Sequence, residues 1–280
     1  MADRPSERSG EPLVAVLLSW FLPGAGHVYV GRIGFGVAAF VLVEGLFFAG
    51  LFLTQGRTFE FLDPELRGAL ATALTPEVGN LGGLVYQLKQ YGFGGTEPGP
   101  LPPHVMLGAW MTAISGMLNA CLLVHVHLSA RTRKDFRGHG PHPAALVGLA
   151  WLVPGLGHVA QGRRLRGAIV FAMLVGLFAW GTWLADASNL SRERHFYYWS
   201  GQFLAGLPAM VTEFVSGRPM VTHEIAREDV GLLFACMGGL LNVLALLDVY
   251  AVAERRWLAG PPKAAPTSPA PSAPPGTEAA

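Results

Sequence analysis

The chain has 280 residues, of which 51% are hydrophobic and only 14% charged, and its formal net charge is +1. A soluble domain carries about 25% charged residues, so the deficit, concentrated in long apolar runs, points to a multi-pass membrane protein. A near-neutral chain with no basic stripe gives no basis for nucleic-acid binding.

Residues 1–12 are polar and lack the basic segment, short apolar core and small-residue cleavage site of a signal peptide, so no cleaved leader is expected. Residues 13–22 are apolar but only ten long, about 15 Å as a helix and half of a hydrocarbon core. Pro23-Gly24 then stops the helix: proline disfavours helix at the residue before it, and glycine lets the chain turn. Residues 33–53 make a full span that carries one acid, Glu44. Residues 54–103 read as a loop with short helices at 64–74 and 77–91, and 107–128 as a second span closed by Arg131, Arg133, Lys134 and Arg137. The order then repeats: ten apolar residues at 144–153, Pro154-Gly155, a span at 167–185, a polar-aromatic loop at 186–228 and a last span at 230–253 before Glu254-Arg255-Arg256. From Gly260 the chain is mostly Pro, Ala, Ser, Thr and Gly, a composition that predicts a disordered tail.

The repeat is legible residue by residue. Residues 19–32 (SWFLPGAGHVYVGR) recur as 150–163 (AWLVPGLGHVAQGR) at a constant offset of 131. Trp20 pairs with Trp151, Pro23 with Pro154, Gly24 with Gly155, Gly26 with Gly157, His27 with His158, Gly31 with Gly162 and Arg32 with Arg163. Later in each half the offset is 123: residues 116–119 (GMLN) match 239–242 (GLLN), which pairs Asn119 with Asn242. This predicts an internal duplication, with a first membrane repeat at 1–137, a second at 138–258 and the tail at 259–280.

Two topologies compete. Either the ten-residue segments cross fully, giving six spans, or they are half-helices that turn back at Pro-Gly, leaving four. Lys and Arg are enriched on the cytoplasmic side. Four spans divide the 20 basic residues 13 to 7, whereas the best six-span layout gives 11 to 9 and puts the Arg131–Arg137 cluster on the wrong side. The expected architecture is therefore all-α, a polytopic membrane protein of two pseudo-symmetric halves with four full spans and two re-entrant half-helices. A broken helix at membrane depth must be covered by protein, and closely spaced glycines allow that approach.

The W-x-x-P-G-x-G-H-x-x-x-G-R pattern resembles the bacterial relatives of the "TM two" helix-hairpin domain. Together with the late span GLLNVLALLDVY at 239–250, it more closely resembles the bacterial family called domain of unknown function 6677. The second half carries the full pattern. The first half departs from it, with His125 where Asp248 is expected and His127 in place of Tyr250. The resemblance implies an integral membrane protein of unassigned activity in a bacterial inner membrane, and supplies no reaction.

Several polar residues could carry more than packing. His27 and His158, beside the breaks, could hydrogen-bond the carbonyls freed there, contact a lipid headgroup or partner, or serve catalysis or a metal. Glu44, absent from the second copy where Val175 stands, could be a neutral buried acid or line a proton or ion path. Asn119 and Asn242 read as interhelical hydrogen-bonding groups. A contact between His125 and Asp248 across the halves is one option, and His139 and His142 read as part of a solvated connector. Cys121 and Cys236 sit inside apolar runs and read as small buried hydrophobes. The outer stretch 196–215, opening FYYW, reads as an interfacial helix, and Asn189-Leu190-Ser191 matches a glycosylation site only formally.

No nucleophile elbow, phosphate-binding loop, dinucleotide fingerprint or zinc-helix motif is present. The expected role is non-enzymatic, without cofactor or metal: a scaffold or accessory subunit contacting the lipid bilayer or another membrane protein. The alternative is a small transporter or lipid-handling protein using the broken helices and Glu44.

Overall fold

The structure is a computed structural model, which describes residues 9–59, 73–92, 100–132, 136, 138, 140–217 and 223–259. Among the described residues the regular elements are all helical. Helix α1 (Pro12–Phe21) begins with proline in its first turn, where the missing donor costs nothing. It ends because Leu22, ahead of Pro23, is extended at φ −134° and ψ 104°. Gly24 then takes the left-handed conformation, φ 83°, and the single-turn helix α2 (Ala25–Tyr29) follows. The second copy reproduces this in α6 (Pro143–Leu152) and α7 (Leu156–Ala160), with Val153 at φ −137° and Gly155 at φ 84°.

Both segments turn back. The backbone N–H of Glu11, at the start of the excursion, donates to the Tyr29 hydroxyl at its end (3.3 Å). Gly26 and Gly157 press on the first leg so closely that a Cβ would strike the carbonyl oxygens of Ala15 and Leu146 respectively. The short helices double back, and among the described residues four helices are long and apolar enough to cross a membrane: α3 (Ile33–Leu53), α5 (Val105–Arg131), α8 (Arg164–Leu184) and α11 (Glu228–Ala259). The last runs six residues past the expected end. Its charged terminus stays helical, and Arg256 there donates to the Gln161 carbonyl (2.8 Å).

Within each half the two spans meet through small residues. A Cβ at Gly50 would meet the Gly108 carbonyl, and one at Gly181 would meet the Gly231 carbonyl and the Ala235 backbone. Such positions let membrane helices approach without a hydrophobic driving force between them. Equivalent positions at the 123 offset also touch across the halves. His127 Nδ1 and the Tyr250 hydroxyl share a hydrogen bond of 2.9 Å, and Arg131 pairs with Glu254. Contact between equivalent residues places the pseudo-twofold axis between α5 and α11 at that end, as parallel repeats require.

The outer loops differ from expectation. The stretch at 77–91 is not one helix: a 3-10 turn (Pro76–Gly79) precedes α4 (Leu81–Gln87), whose start is capped by Asn80 accepting from Gly83 N–H (3.0 Å), and a π turn (Leu88–Gly92) follows. The helix expected at 64–74 falls largely outside the described residues, as do His139 and residues 260–280. The 196–215 stretch is two helices, α9 (Phe196–Phe203) and α10 (Leu207–Ser216). Helix α9 is not a surface element: Phe196, Trp199 and Phe203 are buried. Trp199 and Phe203 join Ala113, Met117, Trp151 and Met210 in the core that binds the halves.

Candidate functional site

Each broken helix frees carbonyls at membrane depth, and the span beside it takes them up. Asn119 on α5 donates through its amide to Ser19 O (3.0 Å) and Gly79 O (2.8 Å). Asn242 on α11 donates to Ala150 O (3.3 Å) and Leu204 O (2.9 Å). The amides therefore staple the half-helix and the outer loop to the same span, and the imidazoles of His27 and His158 are left for other contacts. Gly24 and Gly155 are held against Gly36 and Gly167 at the start of the next span, where a Cβ would overlap a carbonyl oxygen. Gly31 (φ 77°) and Gly162 (φ 82°) make the second left-handed step, before Arg32 and Arg163. Trp20 donates to Val78 O (2.7 Å), while Trp151 is buried against Phe203.

The two copies diverge at the histidines. In the second, Asp248 is a hub: its carboxylate meets His158 Nε2 at 3.1 Å, Arg163 Nη1 at 2.7 Å and Arg166 Nη2 at 3.2 Å. A cleft of about 230 Å³ lies beside this hub, lined by Met173, Leu241 and Leu244 among others. In the first copy His125 stands in the acid's place and bonds His27 through Nδ1 at 2.9 Å. Phe35, where the second copy has Arg166, stacks on His125 with centroids 4.6 Å apart. His125 and Asp248 thus serve their own halves and do not meet.

His142, at the end of the connector, is held by partners and is not part of a solvated loop. His142 caps α6, its Nδ1 accepting from Ala144 N–H (3.1 Å). Its ring packs between His125 (centroids 4.7 Å) and Trp257 (4.8 Å). Burial, and then the Arg32 charge, hold the His142 imidazole below its usual pKa, which suits a neutral ring with an accepting Nδ1. Four rings, Trp257, His142, His125 and His27, run in series from the last helix to the half-helix. Among the described residues no group of three or more His, Cys, Asp or Glu is placed to hold a metal ion.

A second polar centre lies between the outer loops and was not visible in the sequence. Arg192 and Glu77, both fully buried, pair at 3.0 Å. The guanidinium sits 4.6 Å from the Trp199 ring centroid and 4.9 Å from that of Phe196. Thr112 donates to the same Glu77 oxygen (2.9 Å), and Trp110 and Trp199 both donate to Glu213 (2.9 Å each). Asn189 of the formal glycosylation triplet is buried and bonded to Thr182 and Gln202. Glu44 is buried on α3 and faces Asn80 and the end of α1. Cys121 and Cys236 are free thiols.

The geometry defines a class: a membrane protein of two fused repeats, each a re-entrant Pro-Gly stub packed on two spans. The chain matches the family of unknown function DUF6677 over residues 14–135 and again over 145–258, and it belongs to that family. Searches of curated proteins and of solved structures find no match.

Proposed function

We propose that the protein is a non-enzymatic scaffold or accessory subunit, multi-pass in the cytoplasmic membrane of a bacterium, contacting lipid or another membrane protein. The observation that supports this reading is how the second repeat uses its polar groups. Asp248 is engaged by His158, Arg163 and Arg166, and the Asn242 amide holds the broken helix, so these groups are occupied in holding the turn. Arg192, Glu77 and Glu213 are likewise engaged in joining the halves. Charge asymmetry supports a cytoplasmic position for the Arg32 and Arg163 ends of the turns.

The transport alternative rests on Glu44, whose carboxyl lies near the broken end of α1. Glu44→Gln, His158→Ala and Asp248→Asn separate the readings when accumulation of folded protein is measured alongside the cellular phenotype. The scaffold reading predicts that phenotype is lost only in those variants that fail to accumulate. A variant that accumulates at the wild-type level, stays folded and is inactive overturns it in favour of transport or catalysis.

A further inference from the structure

The second repeat shows what the Arg of the motif binds. Arg163 and His158 converge on one carboxylate, that of Asp248. The first repeat keeps Arg32 and His27 but puts His125 where the carboxylate belongs. Arg32 is half-buried, and among the described residues its guanidinium has no hydrogen-bond or ion-pair partner. Its charge acts on His27, His125 and His142 alike, and among the described residues no carboxylate acts on any of the three.

Donor accounting points the same way. His142 uses Nδ1 to accept from Ala144, so its Nε2 carries the proton and is free to donate. His125 meets His27 through Nδ1, and with the His27 Nε2 proton in that bond its own Nε2–H is open to donate. In that tautomer three donors, with no acceptor among the described residues, gather where the second copy has an anion.

We propose that Arg32, His125 and His142 form a site for a phosphoryl anion, which occupies the place that the Asp248 carboxylate fills in the second repeat. Guanidinium and imidazole N–H groups make charge-assisted hydrogen bonds to phosphate oxygens, and a phosphate offers the several acceptors that three donors need. The flanking side chains suit the headgroup of an anionic phospholipid: Ile33 is 63% exposed and Phe35 44% exposed at the start of α3, where acyl chains would lie. Free phosphate presents the same chemistry without the acyl contact.

The site deepens the lipid-contact reading given above and rests on it. Its test is the melting of the purified full chain in neutral detergent, titrated with phosphatidylglycerol, phosphatidylcholine or inorganic phosphate at matched ionic strength. The wild type is expected to be stabilised by phosphatidylglycerol and not by phosphatidylcholine. An equal response to inorganic phosphate assigns the site to the free anion instead of the headgroup.

His125→Asp gives the first repeat the internal acid of the second and should fold while binding the anion at least about tenfold more weakly, the loss expected of a charge-assisted contact. Arg32→Gln, which removes a side chain with no internal partner, should show the same loss, so the test survives failure of either variant to fold. A wild type indifferent to both phosphoryl ligands, or variants that respond as the wild type does, overturns the site. The scaffold reading stands apart from that result, because it is decided by accumulation against phenotype.

Discussion

The two repeats share a turn and differ in what they ask of it. At residues 19–32 and 150–163 the backbone is superposable in kind: an extended residue before proline, glycine at φ 83° or 84°, one helical turn, then glycine at φ 77° or 82°. One helix turn further on, the second copy neutralises its Arg163 and Arg166 with Asp248, while the first replaces that carboxylate with His125, packed against Phe35 and His142. The backbone of a re-entrant stub is a steric requirement, so both copies retain it. The charge beside the stub is free to diverge once the carbonyls are held elsewhere, by Asn119 and Asn242.

That division orders the expected effects of mutation. Gly24→Ala and Gly155→Ala should be the most damaging and equally so. Each forces alanine into a left-handed conformation costing about 1–2 kcal/mol and drives a Cβ into the Gly36 or Gly167 carbonyl. Loss of folded protein on size exclusion in detergent is the expected result for both. An unequal outcome breaks the claim that the stubs are one design.

Arg192→Met comes next, since it leaves Glu77 buried and uncompensated, at a cost of about 3–5 kcal/mol. The double substitution Arg192→Met/Glu77→Met should recover much of that stability, as thermal or denaturant unfolding in detergent can measure. Failure to recover would mean that the ion pair is not what joins the outer loops.

Asn119→Ala and Asn242→Ala should each lower stability by about 1 kcal/mol, the usual worth of an interhelical hydrogen bond in a membrane. Matching values sharpen the comparison of the halves, because each amide holds one stub carbonyl.

The smallest effect is expected with pH. The His142 pKa is lowered in the fold, so the unfolded chain binds more protons and stability falls as pH drops below about 6.5. His142→Asn keeps a capping side chain and should flatten part of that slope in a melting series from pH 7.5 to 5.5.

Most of the framework could be read from the sequence, since its signals are local. Ten apolar residues before Pro-Gly cannot span a bilayer, and the 131 offset predicts the second stub from the first. Contacts between distant segments were the part that stayed hidden. Arg192 and Glu77 lie 115 residues apart and in one copy each, so no repeat or spacing links them. FYYW has the composition of an interfacial belt, and only the buried Arg192 shows why Trp199 and Phe196 turn inward. His142 packs inward for a reason of the same kind: its neighbours, His125 and Trp257, come from two different spans. The departure at His125 was visible as a mismatch between the copies, but its partner was not.

The re-entrant stub is the claim on which the rest stands, and sided labelling tests it most directly. In a background with Cys121→Ala and Cys236→Ala, single cysteines replace Ser9, Arg32, Arg164 and Asp186 in turn, and a membrane-impermeant maleimide is applied to sealed vesicles of known orientation. The account predicts that Ser9, Arg32 and Arg164 positions label from one face and the Asp186 position from the other. Labelling of the Ser9 and Arg32 positions from opposite faces would mean that the first stub crosses the membrane, and would contradict the account.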